Sequence, residues 1–227
     1  MMRSLARSLI PLLLLAPGSS AAEEPADTPS FVESGGLLNR GQHAVVLYLD
    51  AELLAPPVTV GYRHGVLRWL ELGLDVGANT GLLQVLAHTR LQLLQSASRR
   101  LFWGLHLRSG YKTHHFSIGE TVVADDTSWV AAAEHCLGLR LGQARRHVLY
   151  LETQVYVDID LRTPRRQTDY YLAPASLGYE AMITRWSSVF VELGFVISLN
   201  GTETHAGLLY EGDLFPMGQV GAAVRFQ

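Results

Sequence analysis

The fold is decided by residues 147–161, which read HVLYLETQVYVDIDL. Apolar and polar side chains alternate along this stretch, and a period of two is typical of a β-strand whose two faces meet different surroundings. One face carries Leu149, Leu151, Val155, Val157, Ile159 and Leu161, interrupted only by Thr153. The other face carries Val148, Tyr150, Glu152, Gln154, Tyr156, Asp158 and Asp160. The stretch is much longer than the usual strand of a soluble protein, which has about five or six residues.

The same alternation recurs in two other long segments. Residues 69–77 (WLELGLDVG) place leucine and valine on one face, and residues 187–199 (SSVFVELGFVISL) repeat the pattern. A tilted strand needs about 9–11 residues to cross a bilayer. Length and period together therefore predict strands that span a membrane, with their apolar faces toward lipid.

Extending this pattern along the chain predicts ten strands, and the connections test the count. The segments are 43–51, 57–64, 69–77, 82–95, 99–111, 129–141, 147–161, 169–182, 186–199 and 217–227. The turns at 65–68, 96–98, 142–146 and 183–185 are short, whereas the opposite set (52–56, 78–81, 112–128, 162–168 and 200–216) contains every long loop. An even strand number with short turns at one end and longer loops at the other is typical of outer-membrane barrels. The prediction is an all-β fold, a closed antiparallel transmembrane β-barrel of about ten strands with up-and-down topology.

The N-terminal region differs from the rest of the chain. Residues 1–22 match a signal peptide, because Arg3 and Arg7 precede a short apolar run and small residues end at Ala22. Residues 23–42 are polar and rich in proline, glycine and serine, so we expect a flexible periplasmic leader with little capacity to bury apolar surface. The barrel then occupies residues 43–227.

Composition excludes several classes of function. The chain is 48% hydrophobic and only 17% charged, with a net charge of −3, so it lacks the basic excess that nucleic-acid binding requires. A single cysteine, Cys136, excludes a disulfide framework and a cysteine-based zinc site. No nucleotide-binding loop or HExxH stretch is present, and we expect no cofactor.

Two stretches resemble bacterial outer-membrane β-barrel proteins. Residues 65–73 (GVLRWLELG) resemble their common turn-plus-strand segment, and residues 220–227 (VGAAVRFQ) resemble their terminal strand, with the aromatic Phe226 in the penultimate place. The resemblance implies a place in the bacterial outer membrane, in contact with its lipid and lipopolysaccharide. It also implies contacts with periplasmic chaperones and the barrel-assembly machinery during folding. We expect a monomer.

The polar faces of the strands would line the lumen. The candidate lining residues are Glu71, Asp75, His88, Arg90, His106, Arg108, Glu134, Arg140, Glu152, Glu180, Glu192 and Arg225. Ten strands lie close to the eight-stranded barrels, whose interiors are filled by side chains. We expect a structural protein or a narrow channel with a largely filled, charged lumen, in which an acidic excess would favour cations.

Two alternatives remain open. Asp158 and Asp160 share one face near the rim, where two carboxylates could share a proton or activate water, so a lipid or peptide hydrolase is the first. The second is a soluble, lipocalin-like binding barrel in the periplasm, which would require the leucine and valine faces to point inward.

Two further sets of residues suggest ligands. Arginine pairs bidentately with phosphate, so Arg162, Arg165 and Arg166 in one predicted extracellular loop are candidates for lipopolysaccharide contact. The pairs at 114–115 (His-His) and 125–126 (Asp-Asp) fall in the predicted 112–128 loop. Neighbouring side chains diverge, so they make a poor ligand set, and we expect no metal site.

Overall fold

The computed structural model describes residues 31–32, 36–50, 58–78, 82–118, 121–162, 168–200, 212 and 214–227. The strands are β1 (His43–Asp50), β2 (Val58–Leu67), β3 (Leu70–Ala78), β4 (Leu82–Gln95), β5 (Leu101–Ile118), β6 (Thr121–Leu141), β7 (His147–Asp160), β8 (Thr168–Thr184), β9 (Ser187–Ser198) and β10 (Leu214–Phe226). Among the described residues, no helix is long and apolar enough to cross a membrane.

The ten strands form one closed barrel in which each strand pairs antiparallel with its neighbours in sequence. β1 closes the sheet against β10, in a register that runs from His43 opposite Phe226 to Asp50 opposite Gln219. The predicted fold class, strand number and up-and-down order are confirmed. We call the end with the short turns at 68–69, 96–100, 142–146 and 185–186 the turn end, and the other the loop end.

The structure corrects the prediction of a long loop at residues 112–128, most of which belong to two strands. β5 continues to Ile118 and β6 begins at Thr121, with His114 paired opposite Asp126 in the backbone register. The β-branched run Thr121-Val122-Val123 favours extended backbone, and this preference prevails over the polar pairs that suggested a loop. Both strands are longer than a bilayer crossing requires, and they extend the sheet at the loop end.

The barrel has an apolar outside and a polar inside. Large apolar side chains dominate its exterior, such as Leu193, which is 65% exposed, and Leu177, which is 55% exposed. The described interior buries nine carboxylates and five bases, namely Glu71, Asp75, Glu134, Glu152, Asp158, Asp160, Asp169, Glu180, Glu192, Arg63, Arg90, Lys112, Arg140 and Arg225. The lipocalin-like alternative required the opposite orientation of these faces, so it is contradicted.

The segment that precedes β1 is not a free leader where the structure describes it. Phe31 and Val32 are completely buried, and Leu37 and Leu38 are at most 6% exposed. We define residues 31–32 and 36–42 as the N-terminal plug. For these described residues the expectation of little buried apolar surface was wrong, because the barrel wall supplies the enclosure that the segment lacks by itself. The rest of the predicted 23–42 leader lies outside the described residues. The assignment of residues 1–22 to a signal peptide lies outside the described residues.

An arginine on the barrel exterior tests the orientation of the two faces. We expect Leu193→Arg, near the middle of β9, to lower the free energy of unfolding in lipid vesicles by about 2–4 kcal/mol, because the charge would lie in hydrocarbon. Leu199→Arg, just beyond the loop end of the same strand, should lower it by about 0–1 kcal/mol. Urea titration in vesicles measures both values, and equal small effects would contradict an exterior that faces lipid.

Candidate functional site: the plugged, charged lumen

The plug enters the lumen through a sharp turn at the start of β1. Gly41 has a φ of 77°, in the left-handed region that glycine adopts without strain, and its N–H donates to the carbonyl oxygen of Gly65 at 2.7 Å. Gly65 also lets the plug approach β2, because a Cβ there would overlap the carbonyl oxygen of Asn39. Two glycines thus allow residues 38–42 to bend against the barrel wall.

The plug reaches both sides of the turn end. Val32 and Leu38 pack with Ala44, Val46, Tyr48, Phe190 and Ala223, which belong to β1, β9 and β10. Phe31 packs with Phe102, Cys136, Val148, Tyr150 and Met182 of β5 to β8. Burial of each such apolar side chain stabilises the folded state by roughly 1.5–3 kcal/mol. The plug therefore crosses the lumen and seals it with apolar contacts.

Charged side chains of the wall hold the plug backbone. Glu180 accepts a hydrogen bond from the Val32 N–H at 3.0 Å, and Glu71 accepts one from the Leu38 N–H at 2.9 Å. Arg90 donates to the Val32 carbonyl oxygen. The plug is irregular chain, so these contacts satisfy backbone groups that no β-ladder reaches.

The same carboxylates are paired within the wall. Glu180 lies 3.2 Å from the Arg225 guanidinium and accepts a hydrogen bond from Ser188 at 2.7 Å. Glu71 lies 3.4 Å from Arg90. Burial of these charges is tolerated because each has an opposite partner and further hydrogen bonds.

The middle of the lumen holds a second set of interactions. Arg63 forms an ion pair with Asp75 and donates to the Tyr48 hydroxyl. On the opposite side, Glu134 contacts His106 at 2.9 Å and Arg108 at 3.2 Å. Beside them, His106 and His88 share a hydrogen bond between ring nitrogens at 2.8 Å, and Glu192 accepts from Ser176 at 2.5 Å.

The loop end carries the two carboxylates considered for hydrolysis. Asp158 pairs with Lys112 at 2.9 Å, and these side chains are 2% and 1% exposed. Asp160 accepts a hydrogen bond from the Arg162 N–H at 2.8 Å. Both rim carboxylates are therefore held by groups of the barrel itself.

The two cavities seen among the described residues of the lumen are small. Two adjoining cavities of about 70 and 60 Å³ lie between the middle of the lumen and the loop end, and both are lined by Gln84, Leu86, Arg108 and Gln154. Pockets that bind drug-sized ligands are about 300–1,000 Å³. Each cavity has room for a few water molecules, since one water needs about 10–15 Å³. In the described part of the chain, no group of three His, Cys, Asp or Glu side chains is arranged to hold a metal ion.

The predicted lumen residues lie inside the barrel. Eleven of them are at most 8% exposed: Glu71, Asp75, His88, Arg90, His106, Glu134, Arg140, Glu152, Glu180, Glu192 and Arg225. The Arg108 side chain is 24% exposed. Arg162 is exposed at the loop end, and Arg165 and Arg166 lie outside the described residues.

Sequence reasoning missed two buried bases and the plug. Arg63 lies on the buried face of β2, whose other face carries the exposed Val58, Val60 and Tyr62. Lys112 falls within the predicted 112–128 loop, but in the structure it belongs to β5. The plug had a weaker signal, the apolar pairs at 31–32 and 37–38 within a polar region.

No protein-family model matches the chain, and no curated protein matches it. Among solved structures, it is similar to the NanC porin, with 9% identity, a TM-score of 0.40 and coverage of 82% of this chain and 99% of that one. It is also similar to an anion-selective porin from Comamonas acidovorans, with 14% identity, a TM-score of 0.35 and coverage of 84% of this chain and 57% of that one. A third similar structure is OmpT, an outer membrane protein of Vibrio cholerae, with 10% identity, a TM-score of 0.27 and coverage of 82% of this chain and 96% of that one. At these values no activity is carried over to this chain.

A double-mutant cycle tests how much the buried Lys112–Asp158 ion pair contributes to stability. We expect Lys112→Met to lower the free energy of unfolding by about 3–5 kcal/mol, because it leaves the Asp158 carboxylate buried without its cation. Lys112→Met combined with Asp158→Leu should lower it by less than the single change, as measured by urea titration. The exposed base Arg185, which lies over the Trp186 ring, provides a control, and Arg185→Met should change stability by no more than about 0.5 kcal/mol. A double variant as unstable as Lys112→Met would contradict this account.

Proposed function

We propose that the chain is a membrane-spanning barrel of the bacterial outer membrane, with a structural role, whose lumen is closed to ions while the plug is in place. The observation that carries this proposal is the inverted distribution of side chains, with leucine and valine outside and paired charges inside. Such an exterior is unfavourable in water and favourable in hydrocarbon.

Closure of the sheet supports the membrane location. In a bilayer, each unsatisfied backbone N–H or C=O group costs several kcal/mol, and a barrel without edges leaves none in its ladder. The signal peptide predicted at residues 1–22 would export the chain. In that orientation the turn end faces the periplasm and the loop end faces the outside, as the unequal connections suggest.

The contents of the lumen support a closed state. The plug fills the turn end, and ion pairs such as Arg63–Asp75 cross the middle. The larger cavity, of about 70 Å³, is lined by Arg63 and Asp75 themselves, and the smaller one, of about 60 Å³, adjoins it. A narrow cation-biased channel is the second candidate, because nine buried carboxylates outnumber five buried bases in the described interior. That channel requires the plug to move.

Planar-bilayer recording tests the closed state. We expect the refolded mature protein to show no steady conductance, because the plug and its apolar contacts close the turn end of the lumen. Folding should be verified in the same preparation by migration in gels with and without heating. Reproducible conductance steps from folded protein in most recordings would contradict a lumen that is closed at rest.

The rim carboxylates allow a direct test of the hydrolase alternative. Asp158 and Asp160 are engaged by Lys112 and by the Arg162 N–H, which argues against a free acid–base pair. We expect Asp158→Asn with Asp160→Asn to leave lipid and peptide hydrolysis unchanged at the level of protein-free buffer. Activity of the native protein that disappears in this variant would instead support a hydrolase.

Contact with lipopolysaccharide stays a prediction. Arg162 is exposed at the loop end, and with Arg165 and Arg166 it forms, by sequence, the basic cluster proposed to contact phosphate groups. Contacts with chaperones and the assembly machinery, and the monomeric state, likewise rest on the sequence resemblance.

A further inference from the structure

We infer that the N-terminal plug is a displaceable gate, and that the barrel conducts small cations when the plug leaves the turn end. This inference rests on the proposed membrane location and adds to it a second state with an open lumen.

The plug and the side chains that pack on it separate the cavities from the turn end. Tyr48 and Glu192 line the larger cavity. Tyr48 packs in one cluster with Val32 and Leu38. Tyr150, which donates a hydrogen bond to Glu192 at 3.5 Å, packs with Phe31. Departure of the plug would remove the surface on which both tyrosines rest. The water-sized cavities would then connect to the turn end.

The wall is built so that the plug can leave without stranding a buried charge. Glu180 would lose the Val32 N–H but keep Arg225 and Ser188, and Glu71 would lose the Leu38 N–H but keep Arg90. The Arg140 guanidinium lies 5.6 Å from the Phe31 ring centroid and 5.4 Å from that of Phe102, so it would keep an aromatic contact in the wall. Breaking a buried ion pair leaves an uncompensated charge and is strongly destabilising, and the pairs Glu180–Arg225 and Glu71–Arg90 do not involve the plug.

The charge of the opened path favours cations. Nine carboxylates and five bases are buried in the described interior, and the part-exposed Arg108, which lines both cavities, makes a sixth base, so the acidic excess remains. Acidic excess in a narrow pore raises the local concentration of cations and excludes anions.

Cys136 provides a reporter of plug position. It is the only cysteine of the chain, it is 3% exposed, and it lies in the cluster that contains Phe31. A positively charged methanethiosulfonate reagent can modify this thiol only when water reaches it. The rate of modification therefore measures how often the turn end opens.

Two identical substitutions at equally buried positions make a matched pair. Val32 and Val130 are both completely buried, but Val32 belongs to the plug and Val130 to the loop-end half of β6, beside the smaller cavity. Val32 packs in the cluster on the side of β1, away from the Cys136 cluster, so Val32→Ser creates no space directly beside the thiol. Faster modification of Cys136 in this variant would report that Phe31 leaves its cluster when the packing of Val32 is weakened.

We expect Val32→Ser to raise the rate of Cys136 modification by about tenfold or more, because local opening becomes more frequent. Val130→Ser should stay within about twofold of the unsubstituted protein, since it loosens the lumen elsewhere. Leu38→Ala, in the same cluster as Val32, serves as the second plug variant if Val32→Ser does not fold. Rates for both plug variants equal to that of Val130→Ser would overturn the gate and make the plug a fixed part of the core.

Conductance tests the second half of the inference. In planar bilayers under a potassium chloride gradient, the plug variants should show open events with a reversal potential on the cation side, and Val130→Ser should not. Anion preference, or silence from a variant whose Cys136 is modified rapidly, would overturn the cation path.

These outcomes are distinct from failure of the proposed function. If salt and buffer alone release the native protein from membranes, the membrane location fails. The ratio of modification rates, measured on folded protein in solution, still decides whether the plug moves.

Discussion

Closure of the sheet between β1 and β10 is the constraint on which the rest of the structure depends. It joins the first and last strands of the chain, so every backbone ladder has a partner and no edge remains. Once the sheet is closed, period-two alternation sends one set of side chains outward and the other into a narrow interior. Leucine and valine can then face hydrocarbon, but every inward charge must find a partner within the barrel.

The interior meets this requirement by giving single groups more than one partner. Glu180 forms an ion pair with Arg225 and accepts hydrogen bonds from the Ser188 hydroxyl and from a backbone N–H of the plug. Glu134 contacts both His106 and Arg108. Shared partners satisfy the several acceptor sites of a carboxylate, which one cation rarely does. They also connect strands that are far apart in sequence and bind the plug backbone to charged side chains of the wall.

The sequence predicted the barrel because its signal is local and repeated. Leucines and valines alternate in β3, β7 and β9, and the strand order follows from consecutive hairpins. The end of β5 was missed because polar residues near 114 and 125 resemble a loop when read alone. Arg63 was missed where alternation in β2 was weak. Ion partners such as Lys112 and Asp158 depend on how neighbouring strands are staggered, and the plug depends on enclosure by strands that follow it, so neither is visible in a local pattern.

The burial of Lys112 has a consequence for how this protein can be detected. It is the only lysine among 18 basic residues, and its ammonium group is paired with Asp158 inside the barrel. Reagents that biotinylate surface amines, commonly used to catalogue the proteins of a cell envelope, would find no lysine on its exterior. Digestion at lysine would likewise yield a single cut, at a site that is protected in the folded state. Surveys based on amine chemistry would therefore under-represent this barrel even where it is abundant, whereas arginine-directed cleavage would recover it.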